Sequence, residues 1–302
     1  MRVGLSGASG FIATALASEL SARGDEVVRF VRPESPITSG PSIRWDPARG
    51  MLETDDARRT GRLDAVVNLA GAGIGDRRWS ETRKDLLRTS RLNATDVIVG
   101  SLEALGATTL INGSAIGYYG SRGDEILDET SSPGEDFLAR LCVDWEAAAE
   151  RAPSGVRVAH VRTGIVLDVH GGALARQLPL FRLVLGGRLG RGCQWLSPIS
   201  LTDEVRAIVW LLDHELRGPF NLTAPTSLTN ADFTHVMGNA LRRPTVLAVP
   251  RAALAIALGE GLVDGALLAS QRVVPTRLLE SGFTFRSVDA TSIVTSVLAS
   301  SN

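Results

Sequence analysis

At 302 residues and 44% hydrophobic content, the chain can bury a large core, and its length suggests about two domains or lobes. A formal net charge of −1 lacks the electrostatic footprint of a nucleic-acid or anionic-membrane binder, which leaves small molecules and other proteins as partners. Two cysteines make no disulfide framework, four scattered histidines have no zinc-ligand spacing, and no run of 18 apolar residues suggests a membrane span. No metal is expected, and MRVGLSGASG reads as a strand and turn rather than a leader, so a cytoplasmic location is expected.

In chain order, Met1–Ser6 is an apolar strand that runs into Gly7-Ala8-Ser9-Gly10. Phe11–Arg23 has helical spacing, with Ile12, Leu16 and Leu20 on one face and Gly24 as the stop. Glu26–Val31 is a second strand, and Ala65–Leu69 a third that ends in Ala70-Gly71-Ala72-Gly73. A long helix over Trp79–Leu105, a strand at Thr108–Asn112, a turn-rich stretch at Gly113–Gly123, a helix over Phe137–Ala152 and a strand at Val156–Val161 follow. This alternation predicts an α/β fold with a Rossmann-type, doubly wound parallel sheet. Residues 1–170 read as a dinucleotide-binding domain. Residues 171–302 read as a smaller, mostly helical lobe, some of which returns to the first domain. Its elements are helices at Thr202–Leu212, Asn230–Leu241 and Arg251–Leu258 and a short strand at Phe220–Leu222.

Gly7-x-x-Gly10-x-x-Ala13 sits between strand and helix, where a pyrophosphate needs it. Small residues let the backbone of Gly7, Ala8, Ser9, Gly10, Phe11 and Ile12 approach the phosphates, and the helix start offers free N–H groups. An NAD site often has a carboxylate at the end of the second strand; here Arg32 follows Val31, and its fork suits a 2′-phosphate. The cofactor expected is therefore NADP(H).

Gly7-x-x-Gly10-Phe11-Ile12 resembles the extended short-chain dehydrogenase/reductase superfamily. Further motifs resemble one group within it, the "epimerase family" proteins that end in a domain of unknown function. They include Asn68-Leu69-Ala70-Gly71, Ser90-Arg91, Ser114-Ala115-Ile116-Gly117-Tyr118-Tyr119-Gly120, Trp145-Glu146, Arg162-Thr163-Gly164 and Asn221-Leu222-Thr223-Ala224-Pro225. The resemblance implies that Leu69, Ala70, Gly71, Arg91, Ser114 and Arg162 join the nucleotide site. The chain departs from the family pattern at Ser197–Asp203, where a Trp, a His and a second acidic residue are usual.

The superfamily's Tyr-x-x-x-Lys pair is missing. Phe137 and Leu141 stand in those places, and Lys84, the only lysine, is elsewhere. Ser114 and Tyr118 remain as catalytic candidates, Ser114 to orient a substrate oxygen and Tyr118 as a displaced acid. An unassisted tyrosine titrates near 10, and Arg122 is the expected neighbour to lower that value. The pair Tyr118-Tyr119 reads equally as a packed aromatic turn. Asp124, Glu125, Asp128 and Glu129 read as a solvated acidic loop, Cys142 as a small core residue, and Gly186–Gly192 with Trp195 as a candidate substrate lining. Two functions follow: an NADP(H)-dependent oxidoreductase or epimerase acting on a small molecule with a rebuilt acid/base apparatus, or a non-catalytic NADP(H)-sensing regulator. The resemblance implies a homodimer through the helices at 79–105 and 137–152, because extended relatives often pair through the equivalent helices; the second helix here also carries an apolar face that includes Trp145.

Overall fold

The computed structural model describes residues 1–35 and 40–299; the last residues of the second lobe, 300–302, lie outside these. The main sheet has eight strands: β1 (Arg2–Ser6), β2 (Glu26–Val31), β3 (Ser42–Asp46), β4 (Met51–Leu52), β5 (Ala65–Asn68), β6 (Thr109–Ala115), β7 (Arg157–Thr163) and β8 (Gly218–Leu222). Their order is β8-β7-β6-β5-β1-β2-β3-β4, and every pairing is parallel except β3 with β4. The chain leaves β1 toward β2 on one side and returns to β5 on the other. That reversal opens a crevice at the carboxyl ends of β1 and β5, where doubly wound sheets bind their ligands.

The helices that matter most are α1 (Phe11–Ala22), α2 (Thr54–Thr60), α3 (Glu81–Leu105), α4 (Phe137–Ala149), α5 (Gly172–Arg182), α6 (Leu201–Asp213), α7 (Asn230–Leu241) and α8 (Arg251–Leu258). Alternating strand residues feed two cores, as the two-residue period of a strand requires. Val67, Ile111 and Val161 pack with Leu16, Leu20, Ile208 and Leu211 of α1 and α6. Val66, Leu110 and Val158 pack with Ile98 and Leu102 of α3. A third core joins Leu174, Leu178 and Phe181 of α5 to Phe233 and Met237 of α7 and to the helix Ala290–Ala299.

Starts and stops follow local chemistry. Ser80, Asp136, Ser200 and Thr229 accept from backbone N–H groups at the heads of α3, α4, α6 and α7, which satisfies donors that a helix start leaves open. The bounds of α7 and α8 fall where the spacing places them, and β8 carries the second half of the chain back into the main sheet. Strands β3 and β4, which widen the sheet past β2, are additions to the sequence reading. The apolar face of α4 that carries Trp145 is spent inside the protein: Trp145 packs with Leu87 and donates from Nε1 to Thr95 Oγ1 at 3.0 Å. No helix among the described residues is long and apolar enough to cross a membrane.

Candidate functional site

The crevice is built on a buried polar bracket. Ser6 Oγ donates to Asn68 Oδ1 (2.7 Å), and Asn68 Nδ2 donates to Thr95 Oγ1 (2.9 Å) and Asn112 Oδ1 (2.8 Å). The Leu69 N–H donates to Ser6 Oγ at 3.2 Å. These bonds tie the ends of β1, β5 and β6 together and fix the loops that leave them.

Gly7 has φ +66°, and a Cβ there would lie 2.6 Å from the Leu69 carbonyl oxygen. Both facts require glycine. The Gly10 N–H donates to Gly7 O at 2.7 Å, and Gly10 caps α1 with no side-chain acceptor. The first turn of α1 therefore keeps its N–H groups for an anion, and the loop is narrow because Gly7 lets it touch the β5 loop. Ala8, Phe11 and Ile12 are half-buried, while Ser9 and Gly10 are exposed at the rim. Arg32 stands exposed at the end of β2.

Leu69 and Ala70 are half-buried and Gly71 is exposed, and Arg91 packs against Gly71 from α3. Arg91 donates from Nη1 to the carbonyls of Ala72 (3.1 Å) and Leu87 (2.9 Å) and lies 5.1 Å from the Trp145 ring centroid. Burial pulls its pKa down to about 10. Arg91 thus holds the loop after β5 in place from below.

A second cluster lies at the ends of β6 and β7. Arg162 is buried and clamps Glu146 of α4 with two bonds, Nε to Oε1 (2.8 Å) and Nη2 to Oε2 (2.9 Å). Ser114 Oγ donates to the same Glu146 Oε1 at 2.6 Å. Arg162 Nη1 donates to Tyr119 Oη at 3.0 Å, which in turn donates to Asn221 Oδ1 at 2.7 Å. The Arg162 guanidinium lies over the Tyr118 ring, 3.5 Å from its centroid. Desolvation works to lower the Arg162 pKa, but the bonds and charge of Glu146 and Tyr119 raise it above the ordinary value. Burial pushes the Tyr119 phenol up to about 12.

The sequence candidates are thus joined in a way the sequence does not display. Arg162 connects Ser114 to Tyr118 through Glu146, and its guanidinium is buried. Arg122, the expected partner of Tyr118, instead pairs with Glu125 at 2.7 Å. Tyr119 is fully buried and Tyr118 half-buried, and the Tyr118 hydroxyl makes no hydrogen bond among the described residues. The acidic loop is only partly solvated. Glu129 is buried, accepts from the backbone N–H groups of Asn221 (3.0 Å) and Arg277 (3.3 Å), and is held above the ordinary carboxylate range by burial. Asp124 accepts from Trp195 Nε1 at 2.8 Å. Phe137 stacks edge-on against Trp79, and Leu141 and Cys142 are core residues. Glu146 and Tyr119 are the site residues that sequence reasoning passes over. The available signal is a glutamate next to Trp145, on the margin of an otherwise apolar helix face.

Comparison with known proteins gives this geometry its context. Residues 3–222 match the NAD-dependent epimerase/dehydratase family, and residues 249–295 match a domain of unknown function. The chain is 45% identical over 285 residues to an epimerase family protein of Mycobacterium leprae, covering 94% of this chain and 91% of that one. It is 36% identical over 292 residues to a chloroplastic epimerase family protein of Arabidopsis thaliana, covering 95% and 83%. A crystal structure of human epimerase family protein SDR39U1 (isoform 2) with NADPH is 32% identical, covers 99% of both chains and superposes with a TM-score of 0.89. The chain belongs to the NAD-dependent epimerase/dehydratase family, among the epimerase family proteins.

Proposed function

We propose that the chain binds NADP(H) across the carboxyl ends of β1, β5 and β6 and acts as an oxidoreductase or epimerase on a small molecule. The observation that carries this reading is the cradle at Gly7–Gly10. A Cβ at Gly7 would close it against Leu69, and the uncapped start of α1 presents N–H groups to a pyrophosphate. The similar human protein crystallised with NADPH supports the choice of cofactor.

In this reading the backbone of Gly7, Ala8, Ser9, Gly10, Phe11 and Ile12 holds the pyrophosphate. Leu69, Ala70 and Gly71, braced by Arg91, form the facing wall, and Arg32 meets the 2′-phosphate. A charged hydrogen bond of this kind contributes about 1.5–3 kcal/mol, so Arg32→Glu is expected to erase a preference of about tenfold or more for NADPH over NADH. Dissociation constants of both nucleotides for the native and substituted proteins check this. Equal native affinities for the two would overturn the role of Arg32.

The bound nicotinamide supplies or takes up hydride. The chain's own contribution is proton handling. Ser114 donates its hydroxyl hydrogen bond to Glu146, which leaves its oxygen lone pairs to accept from a substrate hydroxyl. Tyr118, with its hydroxyl unengaged and Arg162 across its ring, is the group free to give or take a proton at the substrate. Tyr118→Phe is expected to lower turnover by about 10²-fold with the unfolding midpoint unchanged. Steady-state rates on a carbonyl compound that oxidises NADPH measure it, and native turnover in the variant would remove Tyr118 from the chemistry.

A further inference from the structure

The two loops that border the crevice are joined by a segment from the second half of the chain. At one end, Gly171 and Gly172 lie against the ring of Phe11, the first residue of α1. A Cβ at Gly171 would lie 2.3 Å from that ring, and one at Gly172, where φ is +68°, would lie 2.9 Å from Val166 O. Glycine at both positions is what lets this backbone rest on the start of α1. At the other end, Arg176 of α5 donates from Nη1 to Gly75 O at 2.8 Å and from Nη2 to Asp76 Oδ1 at 3.1 Å.

Gly75 and Asp76 belong to the loop that follows β5. That loop is itself folded tightly: the Asp76 carboxylate turns back on Gly73, where a Cβ would lie 2.1 Å from Oδ2. Arg83 of α3 holds it from below through Gly73 O, with Asp76 Oδ2 3.8 Å away. Asp76 is therefore the hub between a fixed arginine on α3 and a more exposed one on α5. The span from Phe11 to Asp76 runs from the pyrophosphate loop to the facing wall.

We propose that residues 171–182 form a strap across the dinucleotide crevice, latched by Arg176 to Gly75 and Asp76, and that the latch opens for the nucleotide to exchange. This rests on the reading of the crevice as an NADP(H) site. The latch suits the task because it is strong enough to hold and weak enough to release. Both side chains are more than half exposed, at 65% and 53%, so the ion pair is screened by salt and readily broken. The core beneath the strap, Leu174, Leu178 and Phe181, keeps α5 folded while the latch is open. Arg176 is a positioning residue: it makes no claim on the reacting atoms and acts on how long the nucleotide stays.

Stopped-flow displacement of bound NADPH by excess NADP+, followed by nicotinamide fluorescence, tests this. Arg176→Ala is expected to speed release by up to about fivefold and to speed association as well, so that the dissociation constant changes less than either rate. Asp76→Asn is expected to fall between the native protein and Arg176→Ala. Rising ionic strength is expected to accelerate release more in the native protein than in Arg176→Ala, where only the contacts to the nucleotide's own phosphates remain to be screened. Release from Arg176→Ala at the native rate would overturn the strap while leaving the cofactor reading intact. A native protein that binds no NADPH would overturn both. Exposure of both side chains keeps folding out of the comparison.

Discussion

Arg162→Met is expected to destabilise the protein by about 3–5 kcal/mol, the usual cost of removing one partner from a buried ion pair. The guanidinium is 3% exposed, and all three of its nitrogens are engaged inside the protein. Its loss strands the Glu146 carboxylate, 11% exposed, with one remaining donor, Ser114. The Tyr119 hydroxyl would also lose its donor, and the Tyr118 ring would lose its cation. The larger share of the cost is the charge left behind. Adding Glu146→Leu to Arg162→Met is therefore expected to recover most of the loss, because an apolar pair replaces both charges and desolvates neither. Urea unfolding of the native protein, the single variant and the double variant measures this. A single variant within about 1 kcal/mol of native, or a double variant no better than the single, would show that the network does not hold the strand ends.

The second large effect concerns Glu204 of α6, a residue outside the site. It is fully buried, accepts from Thr163 Oγ1 at 2.7 Å, and its Oε2 has no partner among the described residues. Desolvation raises its pKa to about 8, against an ordinary value of 4.5. The folded protein therefore keeps this proton over a range in which the unfolded chain has lost it. A raised carboxyl pKa places the stability below the unfolded value, so the native protein is expected to lose stability as pH rises from about 4.5 to about 8. At about 1.4 kcal/mol per unit, the whole range amounts to on the order of 5 kcal/mol. Glu129, also raised, acts in the same direction. Glu204→Gln keeps the shape and the acceptor for Thr163 but has no proton to lose. Its stability relative to native is expected to grow steadily between pH 5 and pH 8 in denaturant titrations. Parallel curves for the two proteins across that range would show that Glu204 is not held neutral.

The readings that succeed from sequence are those whose causes are local. A short apolar strand, a glycine turn and an amphipathic helix state their own geometry, and Gly7 and Gly10 fall where that geometry needs no side chain. The site residues that escape are those whose partners are distant in sequence. Glu129 sits in an acidic stretch and reads as solvated, yet the groups that bury it, Asn221 and Arg277, come 92 and 148 residues later. Arg122 lies close to Tyr118 in sequence, but Glu125 is closer still to Arg122 in space, and the cation that reaches Tyr118 is Arg162 from another strand. Strand β3 is short and mixed, Ser42–Asp46, and becomes a strand because β2 offers it an edge.

The cradle after β1 is expected to hold a single NADP(H). Native mass spectrometry of the intact 32.0 kDa chain saturated with NADPH tests it most directly. One bound dinucleotide per chain is expected, displaced by NADP+ and poorly replaced by NADH. A chain that carries no dinucleotide after saturation, or that retains NADH as readily as NADPH, would contradict it.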